Sequence, residues 1–395
     1  MPGVVGVVGA GTMGAGIAQL AVEAGHRVHL HDVDAAAIER GHERIRVGLE
    51  RRAGRLDLDS DSAEAWVAGR LDHLVDTPAI RDVAADADLV VEAALEDLAA
   101  KQAIFRALDE AAPPATLLAT NTSALPVADI AAVTSRPERV LGLHFFNPAP
   151  VMPLVEVVAA PRTADEAADR AAELVGAWGK VTVRCADTPG FIVNRVNRPF
   201  TLEALAMLEA GLATTTSIDA AVRAAGYPMG PFELMDLIGV DINLAAAYGV
   251  YERTRRAGDP LAERFRPSSI QERLVSSGQL GRKTGRGFYE YGADGRITGP
   301  AAGFEGRAEP AGADSTAIVA DRISLAIVNE AYRALGDRVA TAADIDLALR
   351  LGAGHPMGPF ERATAIGGPA AVLAGLREHA AAGLRFEPAP GLDAP

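Results

Sequence analysis

The chain has 395 residues, which suits two or three domains better than one core. Apolar residues make up 49% and charged residues 23%, so extended disorder is not expected. The net charge of −14 argues against a nucleic-acid surface, and the single cysteine, Cys185, rules out an intramolecular disulfide and argues against a cysteine metal site. No metal is expected, and Cys185 reads as a small buried apolar residue.

In chain order, residues 1–186 alternate β-branched runs with Ala-rich helical runs. Strands are predicted at Val4–Val8, Arg27–His31, Leu89–Glu92, Thr116–Thr120, Val140–His144 and Leu154–Val158, with helices between most of them. That alternation indicates a parallel sheet covered on both faces. The uncharged stretch Gly3–Val22 has the length of a membrane span. Its six glycines and internal helix start instead read as strand, turn and helix. With no other candidate span and no export signal, no membrane association and a cytoplasmic location are expected.

The run VVGVVGAGTMGAGIA places Gly9, Gly11 and Gly14 as G-x-G-x-x-G after a strand, with Thr12 and Met13 inside the motif. Glycines there let the backbone turn tightly and approach a pyrophosphate, which the next helix's amides then face. Asp32 follows 23 residues after Gly9, at the end of the second strand. Its carboxylate accepts hydrogen bonds from adenosine ribose hydroxyls and repels a 2′-phosphate. The reading is a Rossmann-type dinucleotide domain at 1–186 that uses NAD. Further on, Arg44, Arg46, Arg51, Arg52 and Arg55 form a basic helix in an acidic chain. Arginine suits phosphate recognition, and a solvated helix face is the alternative.

His144 stands at a strand end, where ligands collect in open α/β sheets, and imidazole titrates near neutrality. Glu156 interrupts the apolar run LVEVV of the next strand and needs a partner if buried. Pairing with His144 would orient the ring and stabilise imidazolium once a proton is taken.

Beyond the nucleotide domain the pattern becomes all-α. The reading is a first helical domain at 187–291, a Gly/Ala/Pro-rich linker at 292–313, a second helical domain at 314–383 and a flexible tail at 384–395. Leu202, Leu205 and Leu208 form a core stripe. EALAMLEAGLATTTSID from Glu203 parallels EAYRALGDRVATAADID from Glu330, and GYPMGPFEL from Gly226 parallels GHPMGPFER from Gly354. The offset is 127 residues, then 128. The helical domain is therefore expected to be duplicated, with its copies packed on each other. Asp321 falls where the first copy has Asn194, and the TPGF run is missing, so the second copy is expected to hold no active site.

The blocks GAGTMGAGIA, VVEAALEDLAAKQAIF, NTSAL, GLHFFNPAPVMPLVEVV, DTPGFIVNR and GYPMGPFELMDLIG together resemble the 3-hydroxyacyl-CoA dehydrogenases, in that family's order and spacing. The resemblance covers residues 3 to about 290, and the repeat extends it to about 383. The duplicated helical domain is similar to that of the bacterial members acting on 3-hydroxybutyryl- and 3-hydroxyadipyl-CoA. The resemblance implies NAD-dependent interconversion of a (3S)-3-hydroxyacyl-CoA and a 3-oxoacyl-CoA, with His144 and Glu156 as the catalytic dyad. It implies that Ser123 and Asn194 contact the substrate oxygens, with Ser123 also near the cofactor. Glu96, Lys101 and Asn147 match positions beside the nicotinamide ribose, although Glu96 and Lys101 also read as a solvated helix pair. Glu92 is a weaker candidate. Arg51, Arg52 and Arg55 are candidates for the coenzyme A phosphates. The family's Ser and Lys in this region fall on Gly48 and Arg55, so the Ser contact is lost. An acyl-carrier-protein thioester and a free hydroxy acid therefore stay open as substrates, as does a non-catalytic NAD-binding role. Both a monomer and a homodimer fit the repeat.

Overall fold

The computed structural model describes residues 3–304 and 313–392. The chain divides after Thr188 into two compact units, two residues beyond the predicted boundary.

The first unit runs β1 (Val4–Val8), α1 (Thr12–Glu23), β2 (Arg27–His31), α2 (Ala35–Ala53), α3 (Ser60–Leu71), β3 (Leu74–Asp76), α4 (Ile80–Ala84), β4 (Leu89–Glu92), α5 (Leu98–Ala111), β5 (Leu117–Thr120), α6 (Val127–Ala131), β6 (Val140–Phe145), β7 (Leu154–Ala159), α7 (Asp165–Ala177) and β8 (Val181–Ala186). The β-branched runs form strands, and Asp34 and Asp97 cap α2 and α5 by accepting from the amides of Ala36 and Ala100. All eight strands join one sheet in the order β3-β2-β1-β4-β5-β6-β7-β8. The order reverses between β1 and β4, which marks the ligand crevice of such sheets. Val7, Leu30, Val91, Leu117, Leu143 and Val157 are buried in its core.

Two strands of this sheet, β3 and β8, were not predicted, and one predicted relationship is corrected. The sheet is parallel except that β6 and β7 run antiparallel. The connection at 146–153 is too short for the crossover a parallel pair needs, so the chain folds straight back.

The second unit runs α8 (Val193–Val196), α9 (Arg198–Glu209), α10 (Thr215–Ala224), α11 (Pro231–Ile238), α12 (Val240–Arg256), α13 (Ser269–Ser276), β9 (Tyr289–Tyr291), β10 (Ile297–Pro300), α14 (Ala313–Gly336), α15 (Ala342–Ala353), α16 (Pro359–Ala365) and α17 (Pro369–Glu378). The second unit is not all-α as expected, because the segment read as a linker is built into the fold as far as Phe304: β10 pairs antiparallel with β9, Ala301 is buried, and the Phe304 ring packs at a tilt on that of Phe288. Residues 305–312 of that segment lie outside the described residues.

The two repeated segments make matching bonds. Thr214 caps α10 and Thr341 caps α15. Asp219 accepts from the amides of Phe232 and Glu233, as Asp346 does from those of Phe360 and Glu361. They also exchange partners. Arg195 donates to Glu330 at 2.8 Å, and Arg322 donates to Glu203 at 2.6 Å. A Cβ on Gly226 would stand 3.4 Å from Pro356, and one on Gly354 would stand 3.3 Å from Pro228.

The expectation of a flexible tail at 384–395 is overturned up to Leu392; residues 393–395 lie outside the described residues. Phe386, Ala389 and Leu392 are buried, because the segment closes the core over α14. Arg385 donates to Glu203 at 2.7 Å, as Arg264 does to Glu330 at 2.7 Å. The runs RFRP at 264–267 and RFEP at 385–388 carry these two arginines, so the parallel between the segments reaches further than 383. No single helix among the described residues is long and apolar enough to cross a membrane.

Candidate active site

The glycine turn has the geometry a dinucleotide needs. Gly9 has φ +103°, and a Cβ there would lie 2.7 Å from the carbonyl oxygen of Ala93 on the adjoining loop. A Cβ on Gly14 would fall 1.7 Å from the Gly9 carbonyl, so only glycine lets α1 start this close to β1. Space around Gly11 is open, and as N-cap it offers no side chain to the first-turn amides of α1, where Thr12 and Met13 lie. Those amides are available to a pyrophosphate. Asp32 closes the site: its carboxylate accepts from the amides of Ala10, at 2.8 Å, and Asp34, at 3.2 Å. The residues present therefore fit NAD.

Beside this turn runs a polar network built on the buried Glu92 and Lys101. Lys101 is only 1% exposed, and its ammonium donates to Glu92 at 2.6 Å and lies 3.3 Å from Glu96. The reading of Glu96 and Lys101 as a solvated helix pair is thus overturned, because Glu96 precedes α5 and Lys101 points inward from it. Glu92 also accepts from Thr120 at 2.7 Å. Glu96 accepts from the Thr122 hydroxyl at 2.6 Å and from the amides of Ser123 and Ala124 at 2.9 and 3.1 Å. Burial would raise the Glu96 pKa, but the Lys101 charge and these donors outweigh it and hold the carboxyl below its usual range. Glu96 thus sets the turn that presents the exposed Ser123.

His144 and Glu156 meet as expected. They are opposite one another in the β6–β7 register, and His144 Nδ1 lies 2.5 Å from Glu156 Oε2, both side chains buried. With Nδ1–H donating to the carboxylate, Nε2 carries the lone pair that can take a proton. His144 lies near the C-terminal end of β6, which runs parallel to β1 through β4 and β5. Exposed Asn147 lies in the loop just beyond β6.

That loop is held by Lys180, which sequence reasoning missed. Its ammonium is buried and donates to the carbonyls of Ala149, at 2.6 Å, and Met152, at 2.8 Å. Burial, partly offset by the Glu23 charge, pushes its pKa down to about 8. A lysine before a strand gives no sequence signal of such a contact.

Arg51, Arg52 and Arg55 are exposed on or just beyond α2. Arg52 lies 3.7 Å from Glu23, and Arg46 pairs with Glu43 and Glu50. Arg51 and Arg55 have no carboxylate partner among the described residues. A Cβ on Gly48 would stand 2.0 Å from the amide oxygen of Gln19, so Gln19 lies where the family's serine would project. Asn194 belongs to the second unit, on α8, and is half-buried. No cluster of three or more His, Cys, Asp or Glu suited to a metal occurs among the described residues.

Residues 4–188 match the 3-hydroxyacyl-CoA dehydrogenase NAD binding domain, and residues 190–291 and 318–389 match the C-terminal domain of the same family. The chain belongs to the 3-hydroxyacyl-CoA dehydrogenase family, whose members are NAD-dependent oxidoreductases acting on a CH–OH group. It is 48% identical over 291 residues to 3-hydroxyadipyl-CoA dehydrogenase of Escherichia coli K12, a match covering 73% of this chain and 59% of that relative. It is 43% identical over 293 residues to 3-hydroxybutyryl-CoA dehydrogenase of Mycobacterium tuberculosis, covering 73% and 98%. The crystal structure of 3-hydroxybutyryl-CoA dehydrogenase from Escherichia coli K12 superposes with a TM-score of 0.85 at 36% identity, covering 99% of this chain and 98% of that one.

Proposed function

We propose that the chain interconverts a (3S)-3-hydroxyacyl-CoA and a 3-oxoacyl-CoA, with His144 as general base and Glu156 as its orienting partner. The observation that carries this reading is the buried 2.5 Å contact between His144 Nδ1 and Glu156 Oε2 across β6 and β7. Glu156 fixes the ring with Nε2 facing outward as acceptor and stabilises the imidazolium formed on proton transfer. Bound NAD supplies hydride acceptance at the carbon. Ser123 offers its hydroxyl to the reacting oxygen from the turn that Glu96 holds. Asn194 holds the thioester end of the substrate. Glu96 and Asn147 border the nicotinamide ribose, and Lys101 acts there through Glu96. Arg51, Arg52 and Arg55 form the phosphate-facing surface for coenzyme A.

The decisive assay follows loss of NADH absorbance at 340 nm with acetoacetyl-CoA, beside acetoacetyl-acyl-carrier-protein, free acetoacetate and NADPH. Turnover with NADH and the CoA thioester is the expected result, and His144→Gln abolishes it while leaving NADH binding intact. Turnover of the carrier-protein thioester alone would move the assignment to that substrate, the reading that Gly48 favours. Turnover of free acetoacetate alone would identify a free-acid dehydrogenase.

We further infer that the helical unit is a duplicated domain whose copies meet about a pseudo-two-fold axis. The reciprocal pairs Arg195–Glu330 and Arg322–Glu203 support this, since each residue is 127 positions from its counterpart and the partners are exchanged. A second exchange supports it too. Asn197 pairs with His355, while Ser324 pairs with Tyr227.

A further inference from the structure

We propose that Glu330, Asp337 and His355, all in the second repeated segment, are positioning residues for the substrate contact of Asn194. The proposal rests on the reading of Asn194 given above. It assigns to the second copy a part in the reaction, beyond filling space.

Asn194 sits on α8, a helix of a single turn (Val193–Val196). So short a helix has few backbone bonds of its own: the amides of Arg195, Val196 and Asn197 donate to the carbonyls of Gly190, Ile192 and Val193, at 3.1, 2.8 and 3.0 Å. The turn leading into it is strained. Gly190 has φ +78°, where a Cβ would press within 2.8 Å of Val250, and Phe191 has φ +51° while fully buried. A bulky side chain in the left-handed region persists only where its surroundings hold it there. On either side of Asn194, side-chain contacts from the second segment add to those backbone bonds. Arg195 donates through Nε to Glu330 at 2.8 Å and through Nη2 to Asp337 at 2.5 Å. Asn197 Oδ1 lies 2.7 Å from His355 Nε2.

The other half of the pseudo-symmetric arrangement serves as an internal contrast. Arg322 makes the equivalent pair with Glu203 from the middle of α14, a continuous helix over Ala313–Gly336 that keeps its own shape. One half of the exchange therefore secures a self-supporting helix. The other secures a single strained turn that bears a substrate contact.

The test uses the full chain and measures kcat and KM for acetoacetyl-CoA, the Kd of NADH and Tm. His355→Phe removes the donor to Asn197, and His355→Gln keeps one at similar reach. Asp337→Asn weakens the second bond of Arg195 at a side chain that is 57% exposed, so it folds even if His355→Phe does not. His355→Phe and Asp337→Asn are each expected to lower kcat/KM for the thioester about tenfold with the NADH Kd unchanged, as a small misplacement of a binding group does. His355→Gln restores most of it. Combined with Asn194→Ala, His355→Phe adds less than about twofold, since both act through one contact. Wild-type kcat/KM in both His355→Phe and Asp337→Asn, or losses that multiply with that of Asn194→Ala, would overturn the proposal while leaving the dehydrogenase assignment in place. Wild-type kinetics in Asn194→Ala would overturn the substrate role of Asn194 and the proposal with it.

Discussion

His144 and Glu156 face each other directly across the one antiparallel strand pair of an otherwise parallel sheet, in register and with Nδ1 2.5 Å from Oε2. Side chains alternate across a strand, so a slip of one residue in either strand would send one partner to the opposite face. The tight connection between β6 and β7 thus fixes the dyad. Glu156→Gln keeps the shape but removes the charge that orients the ring and stabilises imidazolium. It is expected to lower kcat by roughly 10²- to 10⁴-fold, as loss of a general-base partner does. The Kd for NADH, read by fluorescence titration, should stay within about twofold.

Lys101 and Glu92 test the cost of a broken buried pair. Lys101→Met leaves the fully buried Glu92 carboxylate without its ammonium. The expected loss is about 3–5 kcal/mol in urea unfolding. The double variant Lys101→Met/Glu92→Leu should recover part of it, since it removes the orphaned charge but leaves the Thr120 hydroxyl and the Ala94 amide without their acceptor. Full loss in the double variant would show that these orphaned donors, and not the orphaned charge, set the cost.

His355 gives the molecule an acid-sensitive element. Burial, with the nearby Arg362 charge, pushes its pKa down to about 3 from an unfolded value near 6.5. A folded-state pKa below the unfolded value means that stability is fully present above pH 6.5. It is lost as pH falls from there toward 3, because only the unfolded chain takes up the proton. The slope due to this one group is at most about 1.4 kcal/mol per pH unit. Chemical denaturation at pH 7.5, 6, 5 and 4.5 should show wild type losing stability relative to His355→Gln over that window. Parallel curves would mean that His355 titrates alike in both states.

The C-terminal segment makes a fourth case. Truncation before Leu384 removes Phe386 from its buried site and Arg385 from Glu203, which retains its pair with Arg322. Loss of a buried aromatic alone costs about 3–5 kcal/mol. The truncated chain should therefore show a clearly lower Tm and bind a hydrophobic dye. An unchanged Tm would mean that this segment contributes nothing to the core it covers.

Much of this protein was legible in the order of its residues. Gly9, Gly11, Gly14 and Asp32 announced the dinucleotide turn because backbone crowding and chirality are local requirements. The strands and the repeated G-x-P-M-G-P-F runs could be read for the same reason, since alternation and recurrence are properties of the string itself. His144 and Glu156 were legible as candidates, because a carboxylate in an apolar strand demands a partner. What tertiary structure alone decided lies at contacts without fixed spacing. The antiparallel turn of β7, the burial of Lys101 against Glu92, and the anchoring of the 146–153 loop by Lys180 all depend on which surfaces meet. So does the docking of Arg385, whose partner Glu203 lies 182 positions away. The tail at 384–392 looked flexible because its Ala, Gly and Pro content carries no periodic signal. It is ordered because Glu203 and the core over α14 needed covering. A lone charge or small residue states a requirement, but only the folded chain determines which distant group satisfies it.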